Sequence, residues 1–369
     1  MNGSDDTPLC YANTSTPYIY YPDMGKIYFS AVFSGLGLTS NLIAFIVLIK
    51  SCQRTRSLSR SFFLIFLAGL VVTDFMGLLV TGSFVVSFYI THVDWRVSDP
   101  TCHFCNFMGM SMVFYGLCPL MLGATMAVER FIGINCPFAR STNITKGRTV
   151  SMVLMVWLFA GCISLLPLTG FGSYHIQTPG SWCFLNISPE RHDWAFSLLF
   201  SFVGLICITV SILLNTVSVV TLIKVCCGPD RNQRRRDHEV EMMVQLILIM
   251  TIATVCWCPL LVFIAQTALS GSPMSVRYLL LWIRFATWNQ ILDPWVYILF
   301  RRSVLKRVNP RIDWSRRSSV ISLYASFSGN IRRFTRSSLG GNLGSDGTEN
   351  MEKSNMAPPS TVKPSHSSA

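Results

Sequence analysis

The amino-acid sequence predicts an all-α membrane protein, a bundle of seven transmembrane helices followed by a short amphipathic eighth helix. Of the 369 residues, 51% are hydrophobic and only 13% are charged, with a mean hydropathy of +0.45, whereas a soluble domain carries about 25% charged residues. Apolar runs long enough to cross a bilayer, which takes about 20 residues, occur seven times. The loops between them alternate between basic and nearly neutral, which is typical of a multi-pass topology.

The seven apolar runs also predict an orientation. They cover residues 27–49, 62–90, 104–134, 150–171, 194–225, 240–269 and 276–300. Basic residues follow every second run, and Lys and Arg concentrate on the cytoplasmic side of membrane proteins. We therefore expect the amino terminus outside and the carboxyl terminus inside. The net charge of +12 is then an orientation signal, with an anionic inner leaflet as a partner, and it does not indicate nucleic-acid binding.

The chain is expected to divide into four parts. These are an extracellular segment at 1–25, the seven-transmembrane domain at 26–300, an amphipathic helix on the inner leaflet at 301–312, and a disordered cytoplasmic tail at 313–369. Sequons in the outer segments predict glycosylation at Asn2, Asn13 and Asn186. The Ser- and Arg-rich tail predicts kinases and arrestin as partners, with an unmodified, solvated tail as the alternative. The expected location is the plasma membrane.

The seventh run contains polar residues that a simple membrane anchor would not carry, namely Arg284, Asn289 and Asp293. Ionisable residues at membrane depth are costly, and by default they indicate a functional site that faces a cavity or a partner. Arg284 lies about two turns inside the outer end, among apolar residues. A guanidinium in an apolar cavity suits a carboxylate on a long apolar body. The alternative is that Arg284 reaches out to the lipid headgroups.

Other classes of protein are disfavoured by the same runs. Residues 105–115 contain no Asp or Glu, so nothing there pairs with an amine ligand, and the seventh run has no Lys for a retinal Schiff base. A transporter or channel for an organic anion would predict internal repeats with paired interrupted helices, and none is visible. No cluster of nucleophile, base and metal ligands indicates an enzyme, and no cofactor is expected.

Three motifs at the ends and middle of the runs are informative together: Glu129-Arg130-Phe131, Cys256-Trp257-Cys258-Pro259 and Asp293-Pro294-Trp295-Val296-Tyr297. They resemble motifs of the rhodopsin-like (class A) G-protein-coupled receptors, and the resemblance covers roughly residues 26–310. Residues 180–184, 239–243 and 284–302 resemble the prostanoid receptors within that family. The resemblance implies a prostanoid lipid with a carboxylate as ligand and heterotrimeric G proteins as partners. It also implies Gq-type coupling to phospholipase C and calcium.

The resemblance further implies a set of ligand contacts. Ser181, Trp182 and Tyr89 would bind the carboxylate together with Arg284. The apolar part of the site would be lined by Met112, Trp257, Leu281 and Phe196. Tyr89 favours a prostaglandin F or E receptor, whereas residues 259–267 and 288–302 favour a different member of the family. The sequence therefore favours that other member of the family, with a prostaglandin F or E receptor as the alternative.

Four cysteines on the predicted outer side are candidates for disulfides. Cys105 lies 25 residues before Arg130, which matches the family's bridge from the third span to the outer loop, so the resemblance pairs it with Cys183. Cys102 and Cys10 remain as candidates for a second bridge.

The family motifs also predict how a signal would cross the membrane. Glu239 lies 20 residues before Pro259, about 30 Å along a helix, so a pair between Arg130 and Glu239 would hold the sixth helix inward, with Pro259 as its bend. The other residues expected to take part are Glu129, Asp74, Asn289, Asp293, Pro294 and Tyr297. Asp74, Asn289 and Asp293 are expected to form a polar core that binds sodium or water. The alternative is a hydrogen-bonded network without sodium.

Overall fold

The computed structural model describes Cys10 and residues 27–54, 58–91, 98–135, 145–177, 180–226, 233–271 and 275–299. All of them belong to one compact unit, Met1–Ile312. The predicted amphipathic helix at 301–312, the tail at 313–369 and the sequons at Asn2 and Asn13 lie outside the described residues.

Seven long helices are present among the described residues, and they confirm the predicted bundle. They are α1 Ile27–Arg54, α2 Leu58–Thr91, α3 His103–Asn135, α4 Lys146–Leu165, α5 Arg191–Cys226, α6 Gln233–Ser270 and α7 Val276–Leu299. A 3-10 turn at Leu166–Thr169 follows α4 and leads into an antiparallel hairpin of β1, Tyr174–Gln177, and β2, Trp182–Leu185. We call the end of the bundle that carries this hairpin the outer end, and the opposite end the inner end.

Helices α1 to α6 are each long and apolar enough, over their described residues, to cross a membrane. Helix α7 has 24 residues, and it carries the ionisable residues Arg277, Arg284 and Asp293. Its two faces differ, because Asp293 is only 2% exposed whereas Trp295 and Tyr278 are 43% and 58% exposed. A helix with this division can span a bilayer when its ionisable groups face the bundle and its aromatic groups face lipid.

Helix α3 lies at the centre of the bundle, in contact with α2, α4, α5, α6 and both strands. Close approach to α6 depends on Gly116, since a Cβ atom there would lie 2.8 Å from the ring of Trp257. On the other side, the indole nitrogen of Trp157 in α4 donates to the hydroxyl of Thr73 in α2 at 3.0 Å. These contacts fix the helices around α3, and thereby the space that remains between them.

Two disulfides join the outer end of the fold. Cys105 in the first turn of α3 is bonded to Cys183 in β2, with 5.3 Å between their Cα atoms. Cys10 is bonded to Cys102, just before α3, with a Cα separation of 6.1 Å. The hairpin is therefore attached covalently to the start of α3.

Candidate functional site

A cavity opens at the outer end between α1, α2, α3, α7 and the hairpin. Its empty space amounts to about 750 Å³, a figure that includes solvent at the open mouth. Its walls are mostly apolar. The lining residues are Ser30, Phe33, Ser34, Leu78, Thr81, Gly82, Val85, Tyr89, Met108, Met112, Ser181, Trp182, Leu280, Ile283, Arg284 and Thr287.

Five residues that were predicted to contact a ligand line this cavity together: Arg284, Tyr89, Ser181, Trp182 and Met112. The hydroxyl of Ser181 donates to that of Tyr89 at 3.3 Å, which joins the hairpin turn to α2. Both residues are buried, and so is Trp182. The indole nitrogen of Trp182 has no hydrogen-bond partner among the described residues. The lining of the cavity thus combines a guanidinium with hydroxyl and indole donors.

The hairpin, which carries Ser181 and Trp182, is held in the fold by contacts of Tyr174. The ring of Tyr174 packs edge-on against Phe196 at 6.2 Å, and its hydroxyl donates to the carbonyl of Ser164 at 2.7 Å. Burial raises the pKa of the Tyr174 phenol, so Tyr174 stays a hydrogen-bond donor. Burial lowers the pKa of His175 below its ordinary 6.5, although Asp193 and Glu190 act in the opposite direction.

A second cavity of about 460 Å³ adjoins the first one and shares Thr81, Met112, Ile283 and Thr287 with it. It reaches the predicted residue Trp257, whose indole nitrogen is buried without a partner among the described residues. The lining of the two cavities therefore extends from Arg284 to the ring of Trp257.

Two predicted apolar contacts are corrected by the structure. The side chain of Leu281 is 52% exposed and lines neither cavity. The face of α7 that meets the cavity carries Leu280, Ile283, Arg284 and Thr287, and Leu281 lies about 100° around the helix from that face. Phe196 is fully buried, but it packs under the hairpin against Tyr174 and lines neither cavity. Sequence reasoning also missed the α1 wall of Ser30, Phe33 and Ser34, since an apolar run gives no signal of which face meets a cavity.

The predicted polar core lies deeper in the bundle. The amide of Asn289 donates to the carboxylate of Asp293 at 3.0 Å. Asp74 is completely buried, and neither of its carboxylate oxygens has a hydrogen-bond partner among the described residues. The amide of Asn41 donates to the carbonyl of Gln290 at 2.9 Å and so joins α1 to this part of α7. Buried carboxylates without donors require a proton, water or a cation.

At the inner end, Arg130 is 2% exposed and contacts three elements. Its Nε lies 2.7 Å from the carboxylate of Glu129. Its other nitrogens donate to the carbonyl of Ser59 in α2 at 2.9 Å and to the sulfur of Met242 in α6 at 3.7 Å. Arg130 therefore touches α6 through Met242.

The acidic residue of α6 that the structure places in an ion pair is Glu241, which lies 3.8 Å from Arg60 in α2. The side chain of Glu239, predicted to pair with Arg130, lies outside the described residues. The predicted motif at the end of α7 is also in contact with a neighbour, since the hydroxyl of Tyr297 lies 3.0 Å from that of Ser51 in α1. Pro259 lies inside α6 and Pro294 inside α7.

Comparison with known proteins agrees with this architecture. The family model described as "7 transmembrane receptor (rhodopsin family)" matches residues 40–297. Squid rhodopsin has a similar structure, with a TM-score of 0.63 over 82% of this chain and 84% of that one, at 18% identity. The chain belongs to the rhodopsin family of seven-transmembrane receptors. It is therefore a multi-pass membrane protein that acts through G proteins, and the expectation that it is not an enzyme is confirmed.

Its curated relatives are more specific. The chain is 54% identical over 294 residues to the thromboxane A2 receptor of Rattus norvegicus, covering 77% of this chain and 85% of that protein. It is 49% identical over 328 residues to the thromboxane A2 receptor of Homo sapiens, covering 86% and 95%. Identity to the prostaglandin F2-alpha receptor of Homo sapiens is 42% over 288 residues, covering 77% and 80%. The predicted resemblance to prostanoid receptors is confirmed.

Proposed function

We propose that this chain is a plasma-membrane receptor for a prostanoid, most specifically thromboxane A2. The observation that carries the proposal is that Arg284 lines an apolar-walled cavity together with Tyr89 and Ser181, whose hydroxyls are hydrogen-bonded to each other. The likeness to thromboxane A2 receptors supports the choice of subtype, and residues 259–267 and 288–302 resemble the same subtype.

The carboxylate of the ligand would bind at the polar end of the cavity. A guanidinium offers two parallel N–H donors in a geometry that matches a carboxylate, and the surrounding apolar walls strengthen this charge-assisted interaction. The hydroxyl groups of Tyr89 and Ser181 line the same cavity and would add further polar contacts. A neutral ester would lose the charge and most of this energy.

The hydrocarbon part of the ligand would extend from Arg284 into the second cavity, towards Trp257. The walls between them, from Met112 and Ile283, offer no charge. Burial of methylene groups here adds roughly 0.8 kcal/mol each. Because Trp257 lies two residues before Pro259, the bound hydrocarbon would contact the part of α6 that is closest to its proline.

Signalling would involve release of α6 at the inner end. Contacts of α6 with Arg130 and Arg60, through Met242 and Glu241, support an inactive arrangement of α6 against α2 and α3. An agonist that prefers the outward position of α6 by several kcal/mol would shift the population to the active state. We propose Gq-type G proteins as the partners, with phospholipase C and calcium downstream, and kinases and arrestin acting on the tail at 313–369.

The polar core would accompany this change. Asp74, Asp293 and Asn289 each have a side-chain oxygen atom without a hydrogen-bond partner among the described residues. An oxygen-rich set of this kind suits a hard cation such as sodium, or a cluster of water. A bound cation or water cluster would stabilise the position of α7 in which these oxygen atoms lie close together.

A second candidate is a receptor for prostaglandin F2α, with prostaglandin E as a further alternative. The specific observation is Tyr89, where a His is expected in the thromboxane subtype. Competition on membranes from transfected cells distinguishes these ligands. A radiolabelled stable thromboxane mimic should be displaced by its unlabelled form at lower concentration than by prostaglandin F2α or E2. The reverse order would refute the thromboxane assignment.

Replacing Arg284 tests the site itself. We expect Arg284→Gln to weaken binding of the acid ligand by about a hundredfold, since a charge-assisted bidentate pair is lost, and to leave the affinity of the methyl ester almost unchanged. Arg277→Gln is the matched control, because Arg277 lies on the same helix but is exposed and outside the cavity. Equal losses for acid and ester would remove the role assigned to Arg284.

A further inference from the structure

Asp193, in the first turn of α5, joins both ends of the hairpin to the bundle. The residue is 4% exposed. Its Oδ1 accepts a hydrogen bond from the hydroxyl of Ser173, just before β1, at 2.8 Å. Its Oδ2 accepts from the amide Nδ2 of Asn186 at 2.7 Å and from the hydroxyl of Ser188 at 3.2 Å, both just after β2. A buried carboxylate requires such donors, and these three satisfy it.

Two of these donors belong to the sequon Asn186-Ile187-Ser188. A glycan would be attached to Nδ2 of Asn186, which is the atom that donates to Asp193. The backbone N–H of Asn186 donates to the carbonyl of Ser173 at 2.9 Å, and Ile187 packs against the apolar core. The side chains that define the sequon are therefore part of the folded interface between the hairpin and α5.

We propose that Asn186 carries no glycan in the mature receptor, and that Asn186, Ser188 and Asp193 form a clasp that positions the hairpin over the cavity. The hairpin turn carries Ser181 and Trp182, which line the cavity. The disulfide of Cys183 attaches β2 to α3, and the clasp attaches the end of β2 to α5. The ligand-binding part of this inference rests on the proposed function, whereas the absence of a glycan does not.

Attachment of a sugar would disfavour the clasp for a physical reason. A sugar replaces one of the two hydrogens on Nδ2, so keeping the hydrogen bond to Asp193 would place the sugar ring directly beside a carboxylate that is almost completely buried. Turning Nδ2 outward would remove the shortest hydrogen bond of Asp193 and leave a buried charge with fewer donors. A glycosylated chain would therefore have a hairpin attached to α5 less firmly.

Glycan occupancy can be measured on the wild-type receptor. The receptor is purified from mammalian cells and treated with peptide N-glycosidase in ¹⁸O-water, which converts each glycosylated Asn to heavy-labelled Asp. Peptide mass spectrometry should then show an unlabelled Asn186, while Asn2 and Asn13 serve as sequons in the same molecule. Heavy label on Asn186 in most of the ligand-binding receptor would overturn the proposal.

The rate of ligand dissociation distinguishes a role of Asn186 and Ser188 in the clasp from a role as a glycosylation site. If the sequon served to carry a sugar, Asn186→Ala and Ser188→Ala would remove the sugar equally and have the same effect. The clasp instead predicts about tenfold faster dissociation of a radiolabelled stable thromboxane mimic for Asn186→Ala, about threefold for Ser188→Ala and no change for Ser188→Thr, because the hydrogen bond from Asn186 is 2.7 Å long and that from Ser188 is 3.2 Å long. Equal effects of the two Ala variants would overturn the clasp.

Thermal unfolding of the ligand-free variants identifies a purely structural role. If Asn186→Ala lowers the midpoint of unfolding and leaves ligand dissociation unchanged, the positioning role is wrong. Surface expression is measured for each variant, and Asp193→Asn provides a second test at the acceptor, with the same expected direction. A wild-type receptor that does not bind the thromboxane mimic would contradict the proposed function, whereas the occupancy of Asn186 would still decide whether the sequon is modified.

Discussion

The outer and inner ends of the bundle are held by different kinds of contact. At the outer end, the hairpin is joined to α3 by the Cys105–Cys183 disulfide, and Asp193 accepts three hydrogen bonds of 2.7 to 3.2 Å from its two ends. At the inner end, α6 is held by a thioether contact of Arg130 at 3.7 Å and by the 3.8 Å ion pair of Glu241. A covalent bond and several hydrogen bonds to one buried carboxylate resist rearrangement, whereas a weak thioether contact and a long, partly exposed ion pair contribute little each.

The two ends therefore suit different functions. A preformed cavity costs a ligand little ordering energy on binding, which suits the outer end. An element that changes between two arrangements of similar energy must be held by weak contacts. The contacts at the inner end are of this kind. Gly116 lies between them, where α3 and the ring of Trp257 in α6 are closest. Variants at the outer end, at Gly116 and at the inner end test this difference.

The largest effect is expected from breaking the outer end. Cys183→Ser removes the disulfide to Cys105, and loss of a native disulfide costs about 2–5 kcal/mol. We expect loss of high-affinity ligand binding, by a hundredfold or more, as measured by saturation binding normalised to surface expression. Cys162→Ser is the control, since Cys162 is an exposed free thiol on α4. Unchanged affinity in Cys183→Ser would show that the outer end is not held by its covalent attachment.

A smaller effect is expected at the contact between α3 and α6. In Gly116→Ala the new methyl group would lie 2.8 Å from the ring of Trp257, and overpacking of this kind costs about 1–3 kcal/mol. The ring must move, so we expect basal calcium signalling or agonist potency to change by about tenfold. Gly35→Ala is the matched control, because a Cβ atom there meets nothing within 4 Å. Identical dose–response curves for both variants would exclude a coupling role for this contact.

The inner end should respond more modestly. Arg60→Glu would place two carboxylates opposite each other in place of the pair with Glu241. Because this pair is partly exposed and long, we expect basal activity to rise only about threefold. The double variant Arg60→Glu with Glu241→Arg should restore the wild-type level, and Arg54→Glu, an exposed change at the end of α1, should have no effect. Failure of the double variant to restore it would show that the ion pair does not hold α6.

The sequence predicted the bundle and the polar end of the site better than it predicted contacts between helices. Apolar runs separated by basic loops are sufficient to locate helices, and Arg284 was identifiable because a charge in an apolar run is costly. Leu281 was assigned to the cavity wrongly, since α7 is apolar on several faces and periodicity cannot show which one faces inward. The strands β1 and β2 were not predicted, because each has only four residues and depends on Cys183 and Asp193.

The partners of Arg130 could not be predicted for a related reason. The acidic–Arg–aromatic motif shows that Arg130 lies at the inner end, but its bond to the carbonyl of Ser59 involves the backbone of another helix, which no side-chain pattern reveals. Glu241 is two residues from Glu239 in the sequence, about 200° around an α-helix, so the two acids lie on different faces. Only the packed arrangement of α2, α3 and α6 shows that Glu241 faces Arg60.

The smallest effect is expected from pH at the hairpin. The pKa of His175 is lowered by burial, so the folded state favours the neutral imidazole and the unfolded state binds the proton more readily. Stability is therefore complete above the ordinary pKa of 6.5 and falls as the pH drops below it. We expect the midpoint of thermal unfolding to decrease by a few degrees between pH 7.5 and pH 5. His175→Asn should reduce the change in the unfolding midpoint between these two pH values. An unchanged difference would show that groups other than His175 cause it.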